Sequence, residues 1–237
     1  MKILSIDSAT ECASCSVLDE DKLYGEINFN YKKQHSTILM SMIDTLLKNI
    51  DCDISSIDAF VISKGPGSFT GLRIGSATVK GLSEGTKKPF ISVSSLDSLA
   101  FNLAFTEGII CPILDALRGN VYTSLYKFQN EKLEKLMDYN VISITDLIDI
   151  LKCRNESITF VGDGILKFKD TILSALSNVK FAPSHLNLAR SSSLGELGLK
   201  LLKDGYKDDI RTFAPLYIRK SQAEREYEKK MGMKNNE

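Results

Sequence analysis

The 237-residue sequence contains no tryptophan, only two histidines and five prolines, and five cysteines without an obvious pairing. Its 30 Lys and Arg balance 30 Asp and Glu. Each shortage excludes something. His35 and His185 stand far apart, so the His-x-x-x-His pair that commonly binds metal on a helix is missing. Zero net charge supplies no overall field for nucleic acid or an anionic membrane, which argues against a stand-alone RNA binder. An odd, scattered set of cysteines (Cys12, Cys15, Cys52, Cys111 and Cys153) fits reduced thiols better than a disulfide framework. Asp7 interrupts the N-terminal apolar run before it could act as an export signal, and no uncharged apolar run could span a bilayer. The expectation is a cytoplasmic protein without membrane contact.

What is present has the pattern of an α/β protein large enough to bury its own core. Three strand-like runs open the chain, at residues 3–6, 13–18 and 23–31, the first leading into an Asp7-Ser8 turn. The period then changes. Ile38/Leu39, Met42/Ile43, Leu46/Leu47 and Ile50 recur every four residues, which predicts an amphipathic helix over 35–49. "IDAFVISKGPG" predicts a buried strand entering a glycine turn, with a helix at 70–84 capped by Ser68 or Thr70. "PFISV" predicts another strand, and residues 95–105 a helix. From "GIICPILDALRGNVYTSLYKF" the outline repeats. Strands flank the turn at 115–119, a third fits 132–142, and "SITDLIDILK" carries a Ser-x-x-Asp cap. "ITFVGDG" is a strand into a turn, and helices fit 165–177 and 188–204. The halves share an outline without sharing sequence, which points to a duplicated architecture.

Three features bear on function. Cys12 and Cys15 form C-x-x-C inside a predicted hairpin, where a redox pair at a helix N-terminus does not fit, so structural thiols are expected. "SKGPGSFTGLRIG" has strand–glycine–helix logic suited to an anion, yet it lacks the Walker Gly-Lys-Ser/Thr and the Rossmann spacing. A tight turn with glycines at positive φ explains it equally well, and both readings stand open. In the following helix, Gly71, Gly75, Thr78, Leu82 and Gly85 share a face, where small residues admit another backbone, internal or from a partner. Arg73 in the first turn opposes the helix dipole, so an acidic partner or bound anion is expected beside it.

With "KGPGSFTGLRIG" in hand, the chain resembles the TsaB (YeaZ) family of bacterial tRNA-modification subunits. "ILSIDSAT", "QHSTILMSMIDTLL", "LDALRGNVY", "VGDG" and "PLYIR" follow in the family's order, and only the tail beyond Arg219 lies outside the match. The resemblance implies a duplicated actin/Hsp70/sugar-kinase-like (ASKHA) fold, with two domains around a cleft. The expected domains are 1–106 and 107–220, with a charged tail at 221–237 and with the helix near 190–204 available to the first domain. It further implies a scaffold without catalytic residues of its own, partnering a TsaD-type catalytic subunit and a TsaE-type ATPase. Together these transfer a threonylcarbamoyl group from its adenylate to the adenosine beside the tRNA anticodon. TsaD-type chains hold a metal with a His pair on the first helix. Here His35 and Leu39 occupy those positions, so no metal is expected. The rival is a free-standing ATP-dependent or metallopeptidase-like enzyme of the same fold.

The resemblance also implies sites. Asp7, Ser8, Thr10, Gly65, Gly67, Ser68 and Thr70 should border the cleft, facing Asp115, Gly162 and Gly164. ADP or ATP would be held there only weakly, or shared with the partner. The docking face should comprise His35, Leu39, Met40 and Ile43 of one helix, with Leu72, Arg73, Gly75, Thr78 and Val79 of the next. The same face would serve a homodimer of the isolated protein, and tRNA would be reached through the complex.

Overall fold

The computed structural model describes residues 1–31 and 34–219, and the charged tail lies outside them. The first sheet takes β1 (Ile3–Asp7), β2 (Ala13–Leu18), β3 (Leu23–Phe29), β4 (Ala59–Gly65) and β5 (Phe90–Ser94) in the order β3-β2-β1-β4-β5. The second takes β6 (Ile109–Asp115), β7 (Asn120–Gln129), β8 (Lys132–Ser143), β9 (Ile158–Val161) and β10 (Val179–Phe181) in the order β8-β7-β6-β9-β10. The two orders are the same. In each, an antiparallel meander precedes strands that join in parallel through helical crossovers.

Helices α1 (His35–Asn49) and α2 (Phe69–Thr86) cover the outer face of the first sheet. The four-residue period of α1 works as expected: Leu39, Met42, Ile43, Leu46 and Leu47 are buried against Leu4, Ile6 and Phe60. Helices α4 (Ile144–Lys152) and α5 (Ile165–Ala175) cover the second sheet in the same way. Ser143 caps α4 by accepting the Asp146 backbone N–H. Between the sheets lie α3 (Ser95–Phe101) and α6 (Ser191–Lys203).

The helix expected at 188–204 thus begins at Ser191 and belongs to the first sheet, where Leu194 and Leu199 pack on Ile3, Val61 and Val93. A half-buried Glu26–Arg190 ion pair and the Ser192 N–H to Glu26 bond (2.9 Å) fix its start. The Asp97 carboxylate of α3 accepts from the Tyr126 and Tyr139 hydroxyls at 2.6 and 2.7 Å, joining α3 to the second sheet. Strand β3 stops at Phe29 and α3 at Phe101, both short of the expected ends, and β10 had no expectation at all. No described helix is long and apolar enough to cross a membrane.

Candidate functional site

β1 and β4 run parallel and end side by side, so the turns leaving them meet. Ser68 N donates to Ala9 O at 2.6 Å, and Ser8 Oγ donates to Gly71 O at 2.9 Å. Ser68 caps α2, its Oγ accepting from Gly71 N, which leaves Thr70 inside the helix and exposed. A Cβ on Gly67 would stand 2.1 Å from Ala9 O, one on Gly71 2.0 Å from Ser8 O, and one on Gly75 2.3 Å from Ser8 Oγ. The glycines therefore exist so that the β1 turn can lie directly on the loop and the first turns of α2. Two of the N–H groups that an anion would want, those of Ser68 and Gly71, already have partners inside the chain.

Asp7 lies beneath this junction. It is fully buried; Oδ1 accepts from Ala9 N at 2.8 Å, while Oδ2 makes no hydrogen bond of good geometry among the described residues, with the Ser63 hydroxyl nearby. Burial pushes its carboxyl up to about 7. Ser8 is buried too, and the first turn reaches the open cleft through Ala9, Thr10, Glu11 and Cys12.

The cleft, about 640 Å³, runs between the glycine loop and the strand ends of the second sheet. Thr10, Gly67 and Ser68 line one wall and Asp115 the other. Asp7, Ser8 and Gly65 sit behind the wall and Thr70 lies off it. Gly162 and Gly164 pack under Ile113 O, and Asp163 between them faces the cleft. Asp163 lies within the 162–164 turn expected opposite the loop, although the expectation singled out only its two glycines. Its Oδ1 accepts from Asp115 N at 2.9 Å, and burial, reinforced by the Asp115 and Glu11 carboxylates, pushes it up to about 6. Lys167 pairs with Asp115 at 3.2 Å. The "GD" of "VGDG" was the available signal, since a carboxylate beside a strand-end glycine has few other places to point.

Arg73 has aromatic neighbours that its expectation did not include. It lies 4.0 Å from the Phe69 ring centroid and donates from Nε to Tyr217 Oη at 3.3 Å, with the two rings 4.9 Å apart. Within the described residues an aromatic pair answers the cation. Cys12 and Cys15 are free and buried, and desolvation pushes both thiols up to about 12, which fits inert structural thiols. His35 Nε2 stands 3.4 Å from Glu11 O. Leu39, at the position where a second histidine would be, is buried in the core. Among the described residues no three His, Cys, Asp or Glu side chains gather as a metal set.

A family model described as TsaD: tRNA N6-adenosine threonylcarbamoyltransferase matches residues 22–227. The tRNA threonylcarbamoyladenosine biosynthesis protein TsaB of Bacillus subtilis (strain 168) is 33% identical over 225 residues, covering 94% of this chain and 96% of the relative. The chain belongs to the TsaB (YeaZ) family. The TsaB of Escherichia coli (strain K12) is 25% identical over 234 residues, again covering 94% and 96%. YeaZ from Pseudomonas aeruginosa superimposes with a TM-score of 0.77 at 22% identity, over 91% of this chain and 99% of that one. The duplicated ASKHA architecture is therefore the fold of this chain.

Within this TsaB-family fold the expected docking residues divide. Leu39, Ile43, Leu72, Gly75 and Val79 are buried inside the chain and offer nothing to a partner. The reason is geometric: their faces of α1 and α2 are the ones that seal the first sheet. Met40 is 53% exposed, Arg73 is exposed, and His35 and Thr78 are half-buried. The outward side of α2 carries Ala77, Gly81 and Gly85, and a Cβ built on either glycine would meet no described atom within 4 Å.

Proposed function

We propose that this chain is a non-catalytic scaffold subunit that presents α1 and α2 to a related TsaD-type catalytic subunit. With a TsaE-type ATPase, the pair transfers the threonylcarbamoyl group from threonylcarbamoyl-AMP to the adenosine beside the anticodon of tRNA. Its family is one of tRNA threonylcarbamoyladenosine biosynthesis proteins. The single observation that carries the docking reading is the outward face of α2. Gly81 and Gly85 cost helix stability, about 1 kcal/mol for each relative to alanine, and no packing among the described residues accounts for them, while Ala77 keeps the same face small. Small residues let a partner helix approach closely, and exposed Met40 on neighbouring α1 adds an adaptable apolar contact. Two helices meeting two makes a four-helix bundle, which serves a homodimer of the isolated chain and a heterodimer equally.

The non-catalytic half of the reading is supported by Leu39 at the second histidine position and by the glycine loop, whose Ser68 and Gly71 N–H groups are committed internally. Adenine nucleotide is accordingly held weakly, at the cleft or with the partner's help. Mixing the purified chain with its host's TsaD-type subunit and sizing the product tests the proposal. A stable heterodimer is expected. Failure to associate under any nucleotide condition, or robust ATP hydrolysis by the isolated chain, would favour the free-standing enzyme of the same fold.

A further inference from the structure

After α6 the chain returns across the first sheet and ends its described course in the cleft. Asp208 N donates to Phe90 O at 2.9 Å, Lys80 Nζ to Phe213 O at 2.8 Å, and Leu216 N to Lys64 O at 2.7 Å. Gly65, at φ 97°, leaves room for the Leu216 carbonyl, 3.3 Å from where its Cβ would stand. Up to this point the segment belongs to the first half. Three residues later, Arg219 Nη1 donates to the backbone carbonyl of Ala116, in the turn between β6 and β7 of the second half. Tyr217, between these two anchors, packs at a tilt against Phe69 and takes the Arg73 hydrogen bond.

We infer that residues 213–219 are a strap that sets the opening of the cleft and ties it to α2. The first anchor is a backbone-to-backbone hydrogen bond to β4. The second is one long side chain reaching a turn in which Leu117 and Arg118 hold left-handed conformations, at φ 63° and 56°. The halves therefore cannot separate along this edge without breaking the Arg219 contact. α2 feels the same strap, because Arg73 and Phe69 on its first turns hold the ring between the anchors. A partner that engages Arg73 would loosen or tighten the strap and so change the cleft. That consequence depends on α2 being the docking face. The hold on the cleft does not, and a distance measurement reads the hold alone.

The test places spin labels on the full chain at Thr70→Cys and Leu166→Cys, exposed positions on opposite sides of the cleft, with Cys52 and Cys153 replaced by serine. Pulsed electron resonance should give one narrow distance distribution. Arg219→Gln should make it roughly twice as wide and shift it to longer distance, with folding confirmed by circular dichroism. Arg73→Ala should broaden it by less, through Tyr217. If Arg219→Gln proves poorly folded, Arg219→Lys keeps the cation while shortening the donor, and it should broaden the distribution detectably. A folded Arg219 variant with the wild-type distribution would overturn the strap, and an unchanged distribution in Arg73→Ala would remove its link to α2.

Discussion

Each half of the molecule turns from a parallel strand into a helix through glycine, and each turn closes over the end of its neighbouring strand. In the first half Gly67 lies against Ala9 O beyond β1, and in the second Gly162 lies against Ile113 O in β6. The resemblance stops at the side chains. The first turn is finished with hydroxyls: Ser68 caps α2 and Ser8 bonds Gly71 O. The second has Gly164 at its cap without a side-chain hydrogen bond, and it turns Asp163 toward the cleft. One turn is sealed to serve packing, while the other presents charge. A cleft so built is no symmetrical clamp for phosphates, despite the phosphate-loop look of the sequence.

The largest expected effect comes from breaking the sealed turn. Gly71→Ala puts a methyl 2.0 Å from a backbone oxygen, so backbone must move, at a cost of about 3 kcal/mol or more. Gly164→Ala meets Ile113 O at 3.0 Å from an ordinary helical conformation and should cost about 1 kcal/mol or less. Urea denaturation of the two variants measures the contrast, and equal costs would mean that the two turns do not differ in packing.

Much of this was legible in advance, and the illegible part has a pattern. The bounds of α1 follow from its period and the caps of α2 and α4 from Ser68 and Ser143, because those signals are local. That Gly71 and Gly75 face Ser8 is not local. A glycine on a helix reports that something comes close, without saying which neighbour. The outward pair, Gly81 and Gly85, has the same spacing and the opposite surroundings. The Asp163–Asp115 bond and the Tyr217 partner of Arg73 are likewise contacts between distant segments, which periodicity does not encode, and the helix on the first sheet at 191–203 was expected there only through the family resemblance. Strand β10 is three residues long, too short to show any alternation.

A second contrast between the halves is acid against acid. Asp7 and Asp163 are both raised, to about 7 and about 6, from an unfolded value of about 3.9. A raised carboxyl binds its proton more tightly in the folded state. Its full stability is therefore present below about pH 4 and is lost as pH rises through the folded value. Between pH 6 and 7 mainly Asp7 still titrates, with a slope approaching about 1.4 kcal/mol per pH unit. Asp7→Asn should flatten that interval and leave the pH 4–6 slope from Asp163. Stability curves at several pH values decide it, and a variant with an unaltered slope would show that Asp7 is charged throughout.

The smallest effect concerns the outer face. Gly81→Ala should raise the stability of the isolated chain by up to about 1 kcal/mol, since the methyl meets nothing and the helix gains propensity. A loss of stability in thermal melts would mean that the face is covered within the chain.

The central claim, that α2 docks a partner with its outward glycines while its inward ones hold the fold, reduces to one pair of variants. Gly81→Leu and Gly75→Leu place the same side chain on opposite faces of one helix. Each would be sized and titrated against the TsaD-type subunit by calorimetry. The account predicts that Gly81→Leu melts no lower than the wild type and loses affinity tenfold or more (about 1.4 kcal/mol), whereas Gly75→Leu fails to fold stably because Ser8 Oγ stands 2.3 Å from its Cβ. A Gly81→Leu chain that binds its partner with undiminished affinity would contradict it.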